Sequence, residues 1–164
     1  MRYNYGVRFE DKKAFLRKEK PYHSFMTNNF IVPKATLEKI PFKEELVAYG
    51  HEDTFFAYEL RKHCLPIIHM DNSVLHLDLD TNGDFIEKTK AGIKNLILLK
   101  SNHPEFMEYS KLLSLINNSS FLKSKITRLA ANNLSKVFEY ISKKTSLTNS
   151  FQLFKLFYTI SLYK

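Results

Sequence analysis

Apolar side chains recur at helical spacing in several stretches of the chain, most clearly between residues 84 and 99. This spacing predicts a long helix there, because every third or fourth side chain falls on the same face of a 3.6-residue turn. Similar patterns predict helices over residues 35–40, 54–63, 105–117, 121–144 and 150–162. The helix over 121–144 is amphipathic, with aliphatic residues on one side and lysines away from them, and the last helix is apolar almost all round and must pack on another element.

Other stretches are typical of extended chain. Residues 22–32 are rich in apolar side chains and stop at Pro33, which predicts an extended segment. Residues 67–70 and 73–77 predict two short strands joined by a turn. The first 20 residues mix charged and aromatic side chains without a period, so we expect irregular structure there.

Length and composition predict one ordinary globular domain. The chain has 164 residues, 44% of them hydrophobic and 14% aromatic, which is enough to bury one core. No apolar run of bilayer-spanning length and no apolar leader segment is visible, so we expect a soluble, cytoplasmic protein. The single cysteine, Cys64, lies in an apolar neighbourhood, which predicts a buried thiol rather than a catalytic one.

The formal charge of +8 is unevenly distributed along the sequence. Residues 1–99 carry 15 basic and 14 acidic side chains, whereas residues 100–164 carry 10 basic and 3 acidic ones. A basic C-terminal third attracts anionic partners such as lipid head groups, nucleic acid or anionic glycans. A solvated face that only aids solubility explains the same charge equally well.

The segment Gly50-His51-Glu52-Asp53 precedes a predicted helix and offers the best candidate chemistry. Free backbone N–H groups and the positive end of the helix dipole keep a carboxylate ionised at this position. Asp53 could then accept a proton from a hydroxyl, with Glu52 as a second acceptor and Gly50 allowing close approach of a ligand. From this chemistry alone, a structural role of Asp53 as the helix cap is a better explanation for an aspartate at this position than a catalytic role is.

A metal site is the second kind of chemistry that the sequence offers. His76, at the end of a predicted strand, has a ring nitrogen that could ligate a divalent ion, although a lone strand histidine is more often structural. Other possible ligands are His51, His63, His69 and Asp71, whose spacing lacks a tight ligand motif. The acidic triplet Asp78-Leu79-Asp80 lacks the long preceding strand that would place it in a nucleotide cleft.

Four blocks resemble a known family in their order and spacing: residues 28–34, 40–46, 49–54 and 72–77. Together they are similar to the C-terminal half of GT-A glycosyltransferases, family 2 and its galactosyltransferase-like relatives. The resemblance covers residues 22–99. It implies an α/β (α+β-like) fragment with a few short strands over residues 1–99, the acceptor-side half of a GT-A domain, followed by a basic amphipathic helical tail over residues 100–164.

The resemblance also implies an activity and a set of site residues. Asp53 would be the general base of an inverting sugar transfer, taking the proton from an acceptor hydroxyl that attacks a nucleotide-sugar donor. His76 would ligate Mg²⁺ or Mn²⁺ at the leaving diphosphate. Residues expected to bind the sugars are Asn28, Asn29, Phe30, Gly50, His51 and Glu52. The acceptor would be a saccharide or a lipid-linked sugar, as in cell-surface polysaccharide synthesis.

The nucleotide-binding half of such an enzyme is not visible in the sequence, so we expect either a split or truncated coding region or a separate N-terminal polypeptide that supplies this half. The tail would either contact the inner face of the membrane peripherally or pack on the domain itself. An alternative is a non-catalytic remnant that binds a partner chain or a polyanion. Nucleic-acid binding would be nonspecific, because no recognition loop accompanies the basic residues.

Overall fold

The computed structural model describes residues 1–43, 46, 49–75, 77 and 79–163. Helical segments make up 69% of the structure, and no β-strand occurs among the described residues. The prediction of an α/β fold, an α+β-like GT-A fragment with short strands, is therefore wrong. The chain is a helical protein.

Nine α-helices occur in the described residues. They are α1 Arg2–Tyr5, α2 Ala14–Lys18, α3 Lys34–Lys39, α4 Glu52–Lys62, α5 Asn82–Asn102, α6 Lys111–Asn117, α7 Ser120–Lys123, α8 Lys125–Lys144 and α9 Thr148–Leu162. A π-helical turn at Gly6–Glu10 and 3₁₀ turns at Pro21–Ser24 and Pro104–Tyr109 complete the helical structure. None of the described helices has the length and apolar character needed to cross a membrane.

Hydroxyl side chains fix where several helices begin. Thr81 accepts a hydrogen bond from the Asp84 backbone N–H at the start of α5. Ser110, Ser119 and Ser124 do the same for α6, α7 and α8. Such caps satisfy backbone donors that have no partner inside the helix. Capping by Ser124 also explains why the single helix predicted over residues 121–144 is divided into α7 and α8.

The main core lies around α5. Phe106, from the 3₁₀ turn after this helix, is fully buried against the rings of Phe55 and Tyr58 on α4. Leu96 and Leu99 of α5 belong to the same cluster. Because α4, α5 and α9 all contribute to this cluster, burial of its apolar surface holds these three helices together.

The N-terminal segment, predicted to be irregular, is helical. Met1 is buried in a second cluster with Ile86 of α5 and Phe151 of α9. Tyr5 packs against the rings of Phe85 and Phe151 at centroid distances of 5.6 and 5.0 Å. Tertiary packing of aromatic side chains therefore stabilises helices that are too short to form alone.

The three predicted extended segments form no strand in the described residues. Phe25 packs its ring against Phe56 of α4, so the segment 22–32 covers a helix instead of joining a sheet. Ile68 and Leu75, in the other two segments, are 80% and 84% exposed. Alternating apolar residues form a strand only where a neighbouring strand can pair with them, and no such strand is present among the described residues.

Cys64 is exposed, which corrects the prediction of a buried thiol. It adopts a left-handed conformation, with φ of 55°, just after α4 ends. The Cys64 N–H donates to Arg61 O and the Leu65 N–H donates to Leu60 O, the two bonds of a Schellman motif. The apolar neighbours Leu60 and Leu65 are the ones that pack inward, in the cluster around Phe56.

Helices α8 and α9 pack closely along their lengths. The buried side chains of α8 are small, namely Thr127, Ala131, Ser135 and Ser142. The hydroxyl groups of Ser142 and Ser150 lie 3.0 Å apart in this interface. Small residues let the two backbones approach, and α9 in turn packs on α5, so the C-terminal helices lie on the rest of the chain.

Candidate functional site

The segment Gly50–Asp53 forms a tight corner, called the corner here, that leads into α4. Gly50 and His51 have left-handed φ values of 106° and 71°. The corner rests directly on α5, because a Cβ placed on Gly50 would lie only 2.9 Å from the Gly92 Cα. The Asn95 side chain donates to Gly50 O at 3.0 Å. Gly50 therefore allows close approach to a helix of the same chain.

Asp53, the predicted catalytic base, lies in the first turn of α4 and is half-buried. Its Oδ1 accepts hydrogen bonds from the Thr54 N–H at 2.6 Å and the Thr54 hydroxyl at 3.1 Å. Burial raises the pKa of Asp53, and the bonds from Thr54 oppose that rise. The N-cap residue of α4 is His51, so the carboxylate of Asp53 satisfies a first-turn N–H without capping the helix, and its raised pKa is a property that a proton acceptor also uses.

Glu52 and His51 lie beside Asp53, and burial affects the two side chains differently. Burial lowers the pKa of His51 to about 4, with Lys155 of α9 lowering it further and Glu52 opposing the change. His51 is therefore neutral at pH 7. One carboxylate oxygen of Glu52, Oε2, is buried without a hydrogen-bond partner among the described residues.

The other predicted sugar-binding residues lie in a separate part of the structure. Asn28 and Asn29 are not fully buried, and the Asn29 side chain donates to Asn72 O at 2.8 Å. Phe30 packs edge-to-face on Phe25. Within the described part of the chain, no hydrogen bond joins these three residues to the corner, so the structure does not assemble the two groups into one site.

The described residues form no site for the predicted Mg²⁺ or Mn²⁺, which is expected only together with a complete donor site. His76, the predicted ligand, lies outside the described residues. Among residues that are described, no three His, Cys, Asp or Glu side chains come together as a metal site. His69 instead contacts Pro21 O at 3.0 Å, and Asp71 accepts from the Ala14 N–H at 2.7 Å. We therefore derive no chemistry through a metal ion.

Two shallow surface depressions lie away from the corner. One, of about 330 Å³, is lined by Asn4, Arg8, Ser146, Leu147, Thr148 and Asn149. The other, of about 230 Å³, lies on α8 and is lined by Lys136, Glu139, Tyr140 and Lys143. Residues 50–53 line neither of them.

Helix α8 exposes large apolar side chains, an orientation that the sequence analysis did not predict. The buried residues of α8 are small, and Phe138 stacks on Phe157 of α9, whereas several other large apolar residues of α8 are exposed. Four of them, called the apolar stripe, are Ile126, Leu129, Val137 and Tyr140, at 81%, 68%, 52% and 65% exposed. The sequence did contain a signal for which face of α8 packs inward. Thr127, Ala131 and Ser135 are small residues spaced four apart, a pattern typical of close contact between helices.

Cations lie along one side of the apolar stripe. The exposed residues Lys125, Lys136 and Lys143 are called the basic stripe. Lys143 pairs with Glu139 at 2.6 Å. Among the described residues, no carboxylate lies within 4.0 Å of Lys125 or Lys136, so their charges face solvent. Outward apolar and basic stripes on one helix form the second candidate site.

Comparison with known proteins adds no family to this description. No family model, no curated protein and no solved structure significantly matches the chain.

Proposed function

We propose that this chain is a non-catalytic helical module that binds an anionic surface through the basic stripe of α8. The proposal rests on the exposure of Lys125 and Lys136, neither of which has a carboxylate within 4.0 Å of its ammonium among the described residues. Cations that no internal partner neutralises attract polyanions over roughly 10 Å at moderate ionic strength. The excess of basic over acidic residues between 100 and 164 extends the same field.

The architecture supports a binding role for α8. Because α8 packs along α9, with Ser142 against Ser150 and Phe138 against Phe157, the basic stripe is displayed on a fixed support rather than on a loose tail. The salt bridges Glu139–Lys90, at 2.8 Å, and Lys143–Glu87, at 3.6 Å, further connect α8 to α5. Pre-ordered side chains lose less entropy on binding than those of a disordered segment do.

The test uses heparin and vesicles containing phosphatidylserine as anionic probes. We expect the double variant Lys125→Gln, Lys136→Gln to bind about tenfold or more weakly, since each cation near an anionic surface contributes about 1 kcal/mol. A matched control, Lys12→Gln with Lys13→Gln, removes the same formal charge from exposed positions in the N-terminal region. Binding to neither probe, or equal loss in both double variants, would overturn the proposal.

Sugar transfer with Asp53 as general base is the second proposal, and the raised pKa of Asp53 is the observation in its favour. Its test is release of nucleoside diphosphate when the chain is mixed with sugar nucleotides, saccharide acceptors and any polypeptide that supplies the donor-binding half. Asp53→Asn should abolish release while leaving the thermal unfolding profile intact. Unchanged release in this variant would remove the catalytic role of Asp53.

A further inference from the structure

We infer that the anionic surface is a lipid bilayer, and that α8 lies in its interface with the apolar stripe inserted. This inference rests on the proposed function and names the partner of the same helix. The occupant of the outward face of α8 is a membrane that carries anionic head groups.

The geometry of α8 matches an interfacial helix. With 3.6 residues per turn, the apolar stripe covers an arc of roughly 80°, which also contains the exposed residues Asn133 and Lys144, and the basic stripe lies directly beside it. The distance along the helix from Ile126 to Tyr140 is roughly 21 Å, too short to span a bilayer but suited to lying in its plane. Lysines could then reach phosphates while the aliphatic side chains enter the acyl boundary.

Because the apolar stripe and the basic stripe are exposed side by side, a membrane fits this surface better than other anionic partners do. Ile126 and Leu129 are 81% and 68% exposed, next to Lys125. A nucleic acid or a free glycan would contact the lysines and leave these apolar groups in water. A bilayer interface satisfies both stripes, and Tyr140 has the amphipathic character typical of that depth.

A second copy of this chain is a less suitable occupant. Residues 120–144 contain six basic side chains and one acidic side chain, Glu139. Glu139 is already bound by Lys90 and Lys143. Two copies meeting through α8 would therefore bring like charges together, whereas anionic lipid neutralises them.

The insertion test exploits the absence of tryptophan from the chain. Leu129→Trp introduces a single tryptophan in the apolar stripe, and Ile68→Trp places one at a similarly exposed position outside α8. With phosphatidylserine-containing vesicles, we expect a blue shift of the tryptophan fluorescence and its quenching by brominated acyl chains for the first variant. The second variant should show neither.

A second pair of variants measures the contribution of insertion to affinity. Ile126→Ser with Val137→Ser should weaken vesicle binding at least about tenfold, because two aliphatic side chains would no longer leave water. Heparin binding should stay unchanged. The control, Ile68→Ser with Leu75→Ser, removes exposed apolar side chains elsewhere and should leave both affinities unchanged. Circular dichroism checks that each variant is folded.

The outcomes distinguish this inference from the proposed function. Vesicle binding through the lysines without a fluorescence shift in the Leu129→Trp variant would overturn insertion and keep the anionic-surface proposal. Binding to heparin but not to vesicles would do the same, in favour of a soluble polyanion. Blue-shifted emission of the Leu129→Trp variant without lipid, together with a dimer in light scattering, would show that a second copy covers the stripe and would overturn the inference.

Discussion

At the scale of single residues, the corner is explained by backbone geometry. Gly50→Ala should destabilise the fold by about 2–4 kcal/mol, because the new Cβ meets a helix backbone at a φ of 106°. Gly92→Ala, on the other side of the same contact, should be neutral or slightly stabilising, since its Cβ would meet neighbours at 3.7–3.8 Å within a helix. Urea unfolding of both variants checks this, and equal losses would contradict it.

His51 predicts a pH dependence of stability. Its pKa is lowered from 6.5 to about 4 in the folded chain, so the native state disfavours the proton. The stability associated with neutral His51 is present above pH 6.5 and is lost as the pH falls toward 4, by up to about 3 kcal/mol. His51→Asn keeps a residue that tolerates the left-handed conformation and removes this titration.

Thermal unfolding between pH 7 and 4 provides the measurement. The wild type should lose more stability over this range than His51→Asn does. His63→Asn is the matched control, because His63 is exposed at the end of α4. Parallel pH profiles for all three proteins would show that His51 does not carry the effect.

At the scale of elements, α8 should be sensitive on its inner face and tolerant on its outer face. Ala131→Leu inserts a large side chain where the native residue is 0% exposed, and it should cost about 1–3 kcal/mol. The neighbouring Ala130 is exposed, so Ala130→Leu should change stability by less than about 0.5 kcal/mol. Chemical denaturation of the pair tests which face of α8 packs, and the reverse order would contradict the described orientation.

Helices were the part of the fold that the sequence predicted. The long helix over 84–99 is confirmed as α5, and the helices at 35–40, 54–63 and 150–162 are confirmed as α3, α4 and α9, with most ends within about two residues. The strands failed because apolar runs such as 22–32 pack just as well on a helix. The N-terminal helices could not be predicted, since contacts with α5 and α9 stabilise them.

The site was predicted less well than the helices, for a related reason. The acidic pair at the start of α4 was placed correctly, because helix N-termini have a local sequence signal. Two other features depend on contacts between distant segments, which the local sequence does not indicate. Gly50 faces Gly92, and Asn29 binds Asn72. The outward direction of the apolar stripe likewise depends on contact with α9, and within α8 the sequence indicates it only through the spacing of Thr127, Ala131 and Ser135.

At the scale of the whole molecule, the first and last described helices are joined at a half-buried lysine. Lys155 of α9 donates to the Tyr5 hydroxyl at 2.7 Å, a contact across 150 residues of sequence. Its ammonium also lies 4.7 Å from the Tyr5 ring centroid and 5.2 Å from that of Phe151. Burial lowers the pKa of Lys155 from 10.5 to about 8. The charged lysine is therefore held at a cost near neutral pH.

Lys155→Met should consequently stabilise the protein at pH 7, by about 1–2 kcal/mol, because an apolar chain replaces a poorly compensated buried charge. The sign of the pH dependence follows from the lowered pKa. Between pH 8 and 10.5 the native wild-type lysine loses its proton before the unfolded one does, so the wild type regains stability and the difference shrinks. In the folded wild type, burial raises the pKa of Tyr5 to about 12, so Tyr5 keeps its proton over this range. Thermal melts of the two proteins from pH 7 to 10.5 measure the difference in their stability. If this difference stays constant or grows as the pH rises, the charge on Lys155 does not destabilise the wild type.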